Sequence, residues 1–232
     1  MTSLCGTPVF ATRARVTKVS ACGAPVSGTA NAGVTAGLIS TEIKPQEESG
    51  TEIIVTNGAG LISVATKSPK QLKWDEITIT LANVDPEFIA LLTGDTLVMN
   101  DATPTPVAVG LQQRRSTYAT GNFAWETWTS TDGMGCAVVS AATVPWLGYS
   151  LLPFVVEGAL GDITFNNGAV SAVITGRTQN GNAWGTGPFS VLNTNAGVAS
   201  KLLTALPSDV HHHFQWVNLA APAAQCGAIA VP

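Results

Sequence analysis

Between residues 74 and 94 the spacing of apolar side chains changes period once. Ile77, Ile79 and Leu81 alternate with Glu76, Thr78 and Thr80, the two-residue period of a half-buried β-strand. Beyond Asn83 the period becomes helical. Asp85 is suited to accept from the first free helical N–H groups, and Pro86 falls at the first helical position, where a missing N–H costs nothing. Glu87 complements the positive end of the helix, Phe88, Leu91 and Leu92 form an apolar stripe, and Gly94 can close the helix in the left-handed conformation. The spacing predicts one short helix over 86–93, fed by one strand.

The rest of the chain reads as strands and turns. Residues 9–19 are strand-like and carry Arg13, Arg15 and Lys18, and Cys22-Gly-Ala-Pro25 turns them. A Gly-interrupted apolar stretch at 31–40 predicts a second strand. Residues 42–50, with Glu42, Glu47 and Glu48, read as a long exposed loop. Strands at 51–55 and 61–66 flank an Asn57-Gly58 turn. Shorter β pieces follow at 97–99, 106–111, 123–129, 137–139, 151–156 and 169–175, with a last strand at 211–219. Residues 1–10 read as an N-terminal arm and 220–232 as a C-terminal tail, and 196–206 as either a short helix or an extended arm. Regularly spaced short strands predict a mainly β fold. The expected form is two packed antiparallel β-sheets, a sandwich or barrel, with the helix at about 86–93 on its flank and one domain spanning 1–232.

Composition adds an expectation about the surface. Hydrophobic residues make up 45% of the chain but aromatics only 6%, and charged residues are 11%, under half of the roughly 25% usual for soluble domains. So few charges imply that much of the surface is covered by other subunits. A net charge of −4 and a pI near 5.3 argue against a domain that grips nucleic acid. Residues 133–156 carry no charge, but Pro145, Gly148 and Pro153 interrupt them, so strand-turn-strand is expected rather than a membrane helix. The opening Met-Thr-Ser-Leu-Cys lacks the basic start and apolar core of a signal peptide. Cys5, Cys22, Cys136 and Cys226 have no zinc-ligand spacing and read as buried free thiols, with a Cys5–Cys22 bridge conceivable.

Candidate chemistry is sparse. His211, His212 and His213 are the chain's three histidines. In a strand His211 and His213 share a face and can hold a metal together, with Asp209 nearby; the ordinary alternative is packing or interface histidines. Glu47-Glu48 reads as a solvated carboxylate pair rather than an acid and base. Asn57-Gly-Ala-Gly60 lacks the strand-to-helix context of a phosphate loop. Arg114-Arg115 is too small a basic spot to hold nucleic acid. The six tryptophans suit core and interface anchoring better than a sugar platform. No enzyme, cofactor or resident metal is expected.

Four stretches together resemble the major tail (tail tube) proteins of long-tailed bacteriophages that infect actinobacteria. They are Arg13-Ala-Arg-Val-Thr-Lys-Val-Ser-Ala-Cys-Gly-Ala-Pro25; the strand–helix unit from Trp74 to Gly94; Phe123-Ala-Trp-Glu-Thr-Trp128 with Leu152-Pro-Phe and Gly161-Asp-Ile-Thr; and Thr175-Gly176 through Trp184-Gly-Thr-Gly-Pro-Phe189 with Pro207-Ser-Asp and the histidine run. The resemblance implies a structural virion protein. Six copies would close into a ring, and rings would stack into a hollow channel for double-stranded DNA. It implies as partners the chain itself, a tape-measure protein and a tail-terminator protein, in a tail assembled in the host cytoplasm. Interface residues expected on this reading are Arg13, Arg15, Glu42, Glu47, Glu48, Arg114, Arg115, Trp184, His211 and His213, with the arginines at subunit interfaces or on the outside of the tube. The alternative is another β-sandwich virion component or an adhesin that binds a receptor or glycan through exposed tryptophans.

Overall fold

A computed structural model describes residues 6–82, 85–113, 121–132, 146–164 and 170–232. Along the chain run β1 (Thr7–Lys18), β2 (Gly28–Thr35), β3 (Leu38–Glu48), β4 (Glu52–Thr56), β5 (Ile62–Lys67), β6 (Gln71–Leu81), α1 (Pro86–Thr93), β7 (Thr96–Met99), β8 (Ala108–Gln112), β9 (Gly121–Asp132), β10 (Leu147–Thr164), β11 (Ser171–Thr178), β12 (Leu192–Asn193), β13 (Ala199–Ser200), β14 (His213–Val217) and β15 (Ile229–Val231). The fold is mainly β, with one helix among the described residues.

Nine strands form one antiparallel sheet in the order β15-β2-β1-β9-β10-β11-β6-β3, with β14 pairing β10 beside β11. The two expected layers are thus halves of one hydrogen-bonded sheet, joined through the 18-residue β10. Register shifts between Leu152 and Val155, and between Val155 and Gly158, interrupt its pairing with β9; such bulges bend a strand and raise its twist. The two halves face each other: Trp125 Nε1 on β9 donates to Thr41 Oγ1 on β3 at 3.1 Å. Between them lies a core of Ala14, Val16, Ile77, Ile79, Leu81, Trp125, Leu152 and Ile174, with Phe88, Ile89 and Leu92 of α1.

The helix forms as its spacing predicts. Asp85 Oδ1 accepts from the N–H groups of Glu87 and Phe88 at 3.0 and 3.4 Å, and Gly94 has φ +75° with its N–H donating to Ala90 O. Phe88 meets Trp125 edge-on at 6.2 Å between ring centroids. The buried face is Phe88, Ile89 and Leu92, whereas Leu91 is only half-buried. A side chain at Gly121 or Gly158 would run into the carbonyl of Leu92, so those two strands let the helix C-terminus lie against them only because they carry glycine there.

β1, β9 and β10 are covered on both faces. A second core of Val19, Ala124, Trp128, Tyr149, Leu151, Phe154, Trp184 and Val217 lies on the far side. Hence every residue from Phe123 to Trp128 is buried, although Thr127 and Glu126 among them are polar.

Several expectations change. Residues 42–48 are not a loop but part of β3, paired with β6 from Leu38↔Leu81 to Glu48↔Gln71. Tertiary pairing overrides the polar composition here, because an edge strand needs only one covered face. The single strand expected at 31–40 is two, turned at Gly37, whose N–H bonds Thr35 Oγ1 at 2.9 Å. The N-terminal arm already joins the sheet at Thr7. The C-terminal tail is tied down: β15 pairs β2, Gly227 N–H donates to Asp85 Oδ2 at 2.7 Å, and Ala228 N–H donates to Glu87 Oε2 at 2.5 Å. Residues 196–206 are neither helix nor free arm; β13 pairs β12, and Leu202 is buried. Cys22 and Cys226 are free and exposed rather than buried. Residues 133–145, including Cys136 and the strand expected at 137–139, lie outside the described residues, as do Cys5, Arg114 and Arg115.

Candidate functional site

The residues singled out from the sequence do not form one site. Arg15 and Glu126 are register partners on β1 and β9 and are 4% and 0% exposed. The Arg15 guanidinium donates Nε–H to Glu126 Oε2 at 2.5 Å and Nη2–H to Oε1 at 2.6 Å, and Tyr149 OH donates to Oε1 at 2.7 Å. The guanidinium lies 3.8 Å from the Phe189 ring centroid and 5.0 Å from that of Trp128, stacking that suits a planar, weakly hydrated cation. Burial, and then the Glu126 charge, push the Tyr149 phenol well above its ordinary pKa. Arg15 is therefore not an interface or outer-surface residue: its carboxylate partner is within the same chain. Arg13, two residues earlier, is half-buried and donates Nη1–H to Thr12 O at 2.6 Å.

Glu42, Glu47 and Glu48 lie exposed along edge strand β3. Each meets a lysine: Lys44 at 3.2 Å, Lys70 at 2.9 Å and Lys73 at 2.5 Å respectively. The Lys73 hydrogen bond lowers the pKa of Glu48, and Glu47 raises that of Lys70. Charged edges of this kind discourage indiscriminate strand pairing.

The histidines part company. His211 is buried and shares a 2.7 Å hydrogen bond through Nδ1 with Thr178 Oγ1, which also accepts from Asp75 N–H. His212 Nε2 is 2.8 Å from Ser150 Oγ, and His213 Nε2 is 3.2 Å from Gln215 Oε1. The strand begins only at His213, so the shared face expected of His211 and His213 is not formed. Among the described residues no group of three or more His, Cys, Asp or Glu side chains is gathered to hold a metal. Desolvation lowers the pKa of His212.

Trp184 is 4% exposed, in the second core, with Gly187 (φ +80°) against its indole. Of the more exposed tryptophans, Trp74 lines a shallow cavity of about 560 Å³ with Glu76, Glu157 and Arg177. Lys73 and Arg177 stand 5.4 and 5.3 Å from its ring centroid, and Arg177 is bound bidentately to Glu157 at 2.6 and 2.8 Å. That hydrogen bonding lowers the pKa of Glu157. A ring approached by two cations is a poor stacking platform for a sugar.

The feature that sequence reasoning underrated is the ribbon that continues β3 and β6. β4 and β5 pair from Glu52↔Lys67 to Thr56↔Ile62 and turn at Asn57–Gly60, where Asn57 Oδ1 accepts from Ala59 and Leu61 N–H. All residues from 51 to 73 are exposed. They include Ile53, Ile54, Val55, Leu61, Ile62, Val64 and Leu72, each between 47% and 66% exposed. At about 3.3 Å per residue the hairpin reaches about 20 Å beyond Gly50. The strand pattern at 51–66 was legible, but nothing in the sequence distinguishes a strand buried in a sandwich from one standing clear of it.

No helix among the described residues is long and apolar enough to cross a membrane. No protein-family model matches the chain, and no curated protein matches it significantly.

Proposed function

We propose that this chain is a structural subunit that assembles with copies of itself into the tube of a bacteriophage tail. One observation carries the reading: the β4–β5 hairpin with its row of exposed isoleucines, valines and leucines. A lone two-stranded hairpin is marginally stable at best in water. An exposed apolar surface of this extent marks a contact with another molecule. In a chain with only 11% charged residues, burial against neighbouring copies satisfies both requirements. The resemblance of the four sequence stretches supplies the identity of the assembly. Ring closure and stacking need unlike patches of successive copies to meet, and a projecting ribbon with apolar faces, whose two charges Glu52 and Lys67 are paired at its base, has the character of one such patch. A tape-measure protein inside, a terminator at the end, and passing DNA follow from the same resemblance.

The test is sedimentation velocity on the full chain and on a variant in which residues 52–67 are replaced by a short Asn-Gly turn. Large assemblies are expected from the full chain and a folded monomer from the variant. A full chain that remains monomeric at high concentration would overturn the proposal.

A further inference from the structure

A second protrusion stands well away from the hairpin. Phe10 is 83% exposed and has φ +47°, a left-handed backbone that a bulky residue adopts only at a cost. Register shifts on both sides of Ala11 set this part of β1 off from β9 as a bulge. The fold thus spends backbone strain to hold an aromatic ring in water, where the ring earns nothing within the chain. Arg13, beside it, has no carboxylate partner among the described residues.

The opposite end of the same strand borders a cavity of about 670 Å³, within the usual range of about 300–1,000 Å³ for ligand pockets. Val19, Ala90, Leu91 and Leu97 give it apolar walls, and Lys18, Glu87 and Asp95 are its charged lining residues. Asp95 accepts from Thr93 Oγ1 at 2.9 Å but has no cationic partner among the described residues. From Phe10 to Lys18 is roughly 25 Å along β1 at about 3.3 Å per residue. The ring therefore cannot fill the cavity of its own chain.

We infer that Phe10 of one copy docks into the cavity between α1 and the end of β1 of the next copy, with Arg13 meeting Asp95 across the contact. The inference rests on the tube-subunit reading and names one of its contacts. Knob and socket lie on different parts of the surface, so the contact is head to tail, the class that generates rings or filaments. The occupant is a second copy because carboxylates outnumber cations at the socket, Glu87 and Asp95 against Lys18, and the knob carries the cation Arg13 three residues from Phe10.

The experiment follows assembly against concentration by sedimentation velocity, with Tm measured in parallel. Phe10→Asn relieves the positive φ, which Asn tolerates, so Tm stays at or above that of the unsubstituted chain. The concentration needed for assembly rises about 30-fold or more, the loss typical of an interfacial hot spot. Arg13→Glu and Asp95→Arg each weaken assembly, and the two together restore most of it. Unchanged assembly of Phe10→Asn overturns the inference while leaving the tube reading intact. So does a lowered Tm, which would assign the ring to the fold of the single chain, or a double variant no better than the worse single one. A monomeric unsubstituted chain overturns both.

Discussion

Arg15 and Glu126 stand directly opposite each other on β1 and β9, and two hydrogen bonds of 2.5 and 2.6 Å join them beneath the surface. Both side chains are almost wholly buried, so each is tolerable only because the other is there. Tyr149 OH supplies a third bond to the carboxylate, and two aromatic rings enclose the guanidinium. Breaking such a pair from one side strands a buried charge, whereas replacing both sides with apolar groups of similar volume often costs little. Glu126→Ala is therefore expected to cost about 3–5 kcal/mol. Arg15→Met combined with Glu126→Leu recovers most of that loss. Urea denaturation of the single and double variants checks the order.

Tyr149 gives the pair a signature at high pH. Its folded-state pKa is raised by burial and by the Glu126 charge, so ionisation favours the unfolded chain. The stabilisation is complete below the unfolded value, about 10, and is lost as the pH rises from there through the folded value. Tyr149→Phe is expected to flatten the decline in stability above about pH 10. Thermal melts across pH 8–12 would measure it, and an unchanged alkaline slope would count against the buried phenol as its source.

Leu92 is fully buried and Leu91 half-buried, so Leu92→Ala is expected to cost about 2–5 kcal/mol and Leu91→Ala clearly less. At Gly94, φ +75° makes Gly94→Val more costly than Gly94→Ala, because β-branching resists positive φ. Equal melting temperatures within either pair would contradict this packing.

The helix, its cap and the strand that feeds it were legible because local rules settle them: Asp85, Pro86 and Gly94 act within a few residues of their own positions. The alternation at 123–128 was legible too, but not that both faces would be covered, since the second cover comes from Trp184 and Val217, far along the chain. Glu42, Glu47 and Glu48 read as loop because polar residues on an edge strand look like loop residues until the partner, β6, is known. Arg15 looked like an interface arginine because nothing local announces Glu126 as its mate 111 residues away. The bulge that turns Phe10 outward is likewise a product of pairing with β9, not of its own neighbours.

If copies form a tube, DNA must slide through without being held. A basic wall releases counterions on contact and grips phosphate, and a chain of net charge −4 is a poor source of one. Assembled tubes are expected not to retain double-stranded DNA in co-sedimentation at low salt. Binding that weakens steeply as salt is raised would contradict a neutral or acidic lumen.

The most direct measurement is electron microscopy of the purified full chain after concentration. Hollow tubes built of stacked rings, or isolated rings of the same diameter, are expected, and they disappear when residues 52–67 are replaced by a short turn. A field of separate monomers, or identical tubes from the trimmed chain, would contradict a tube assembled through that hairpin.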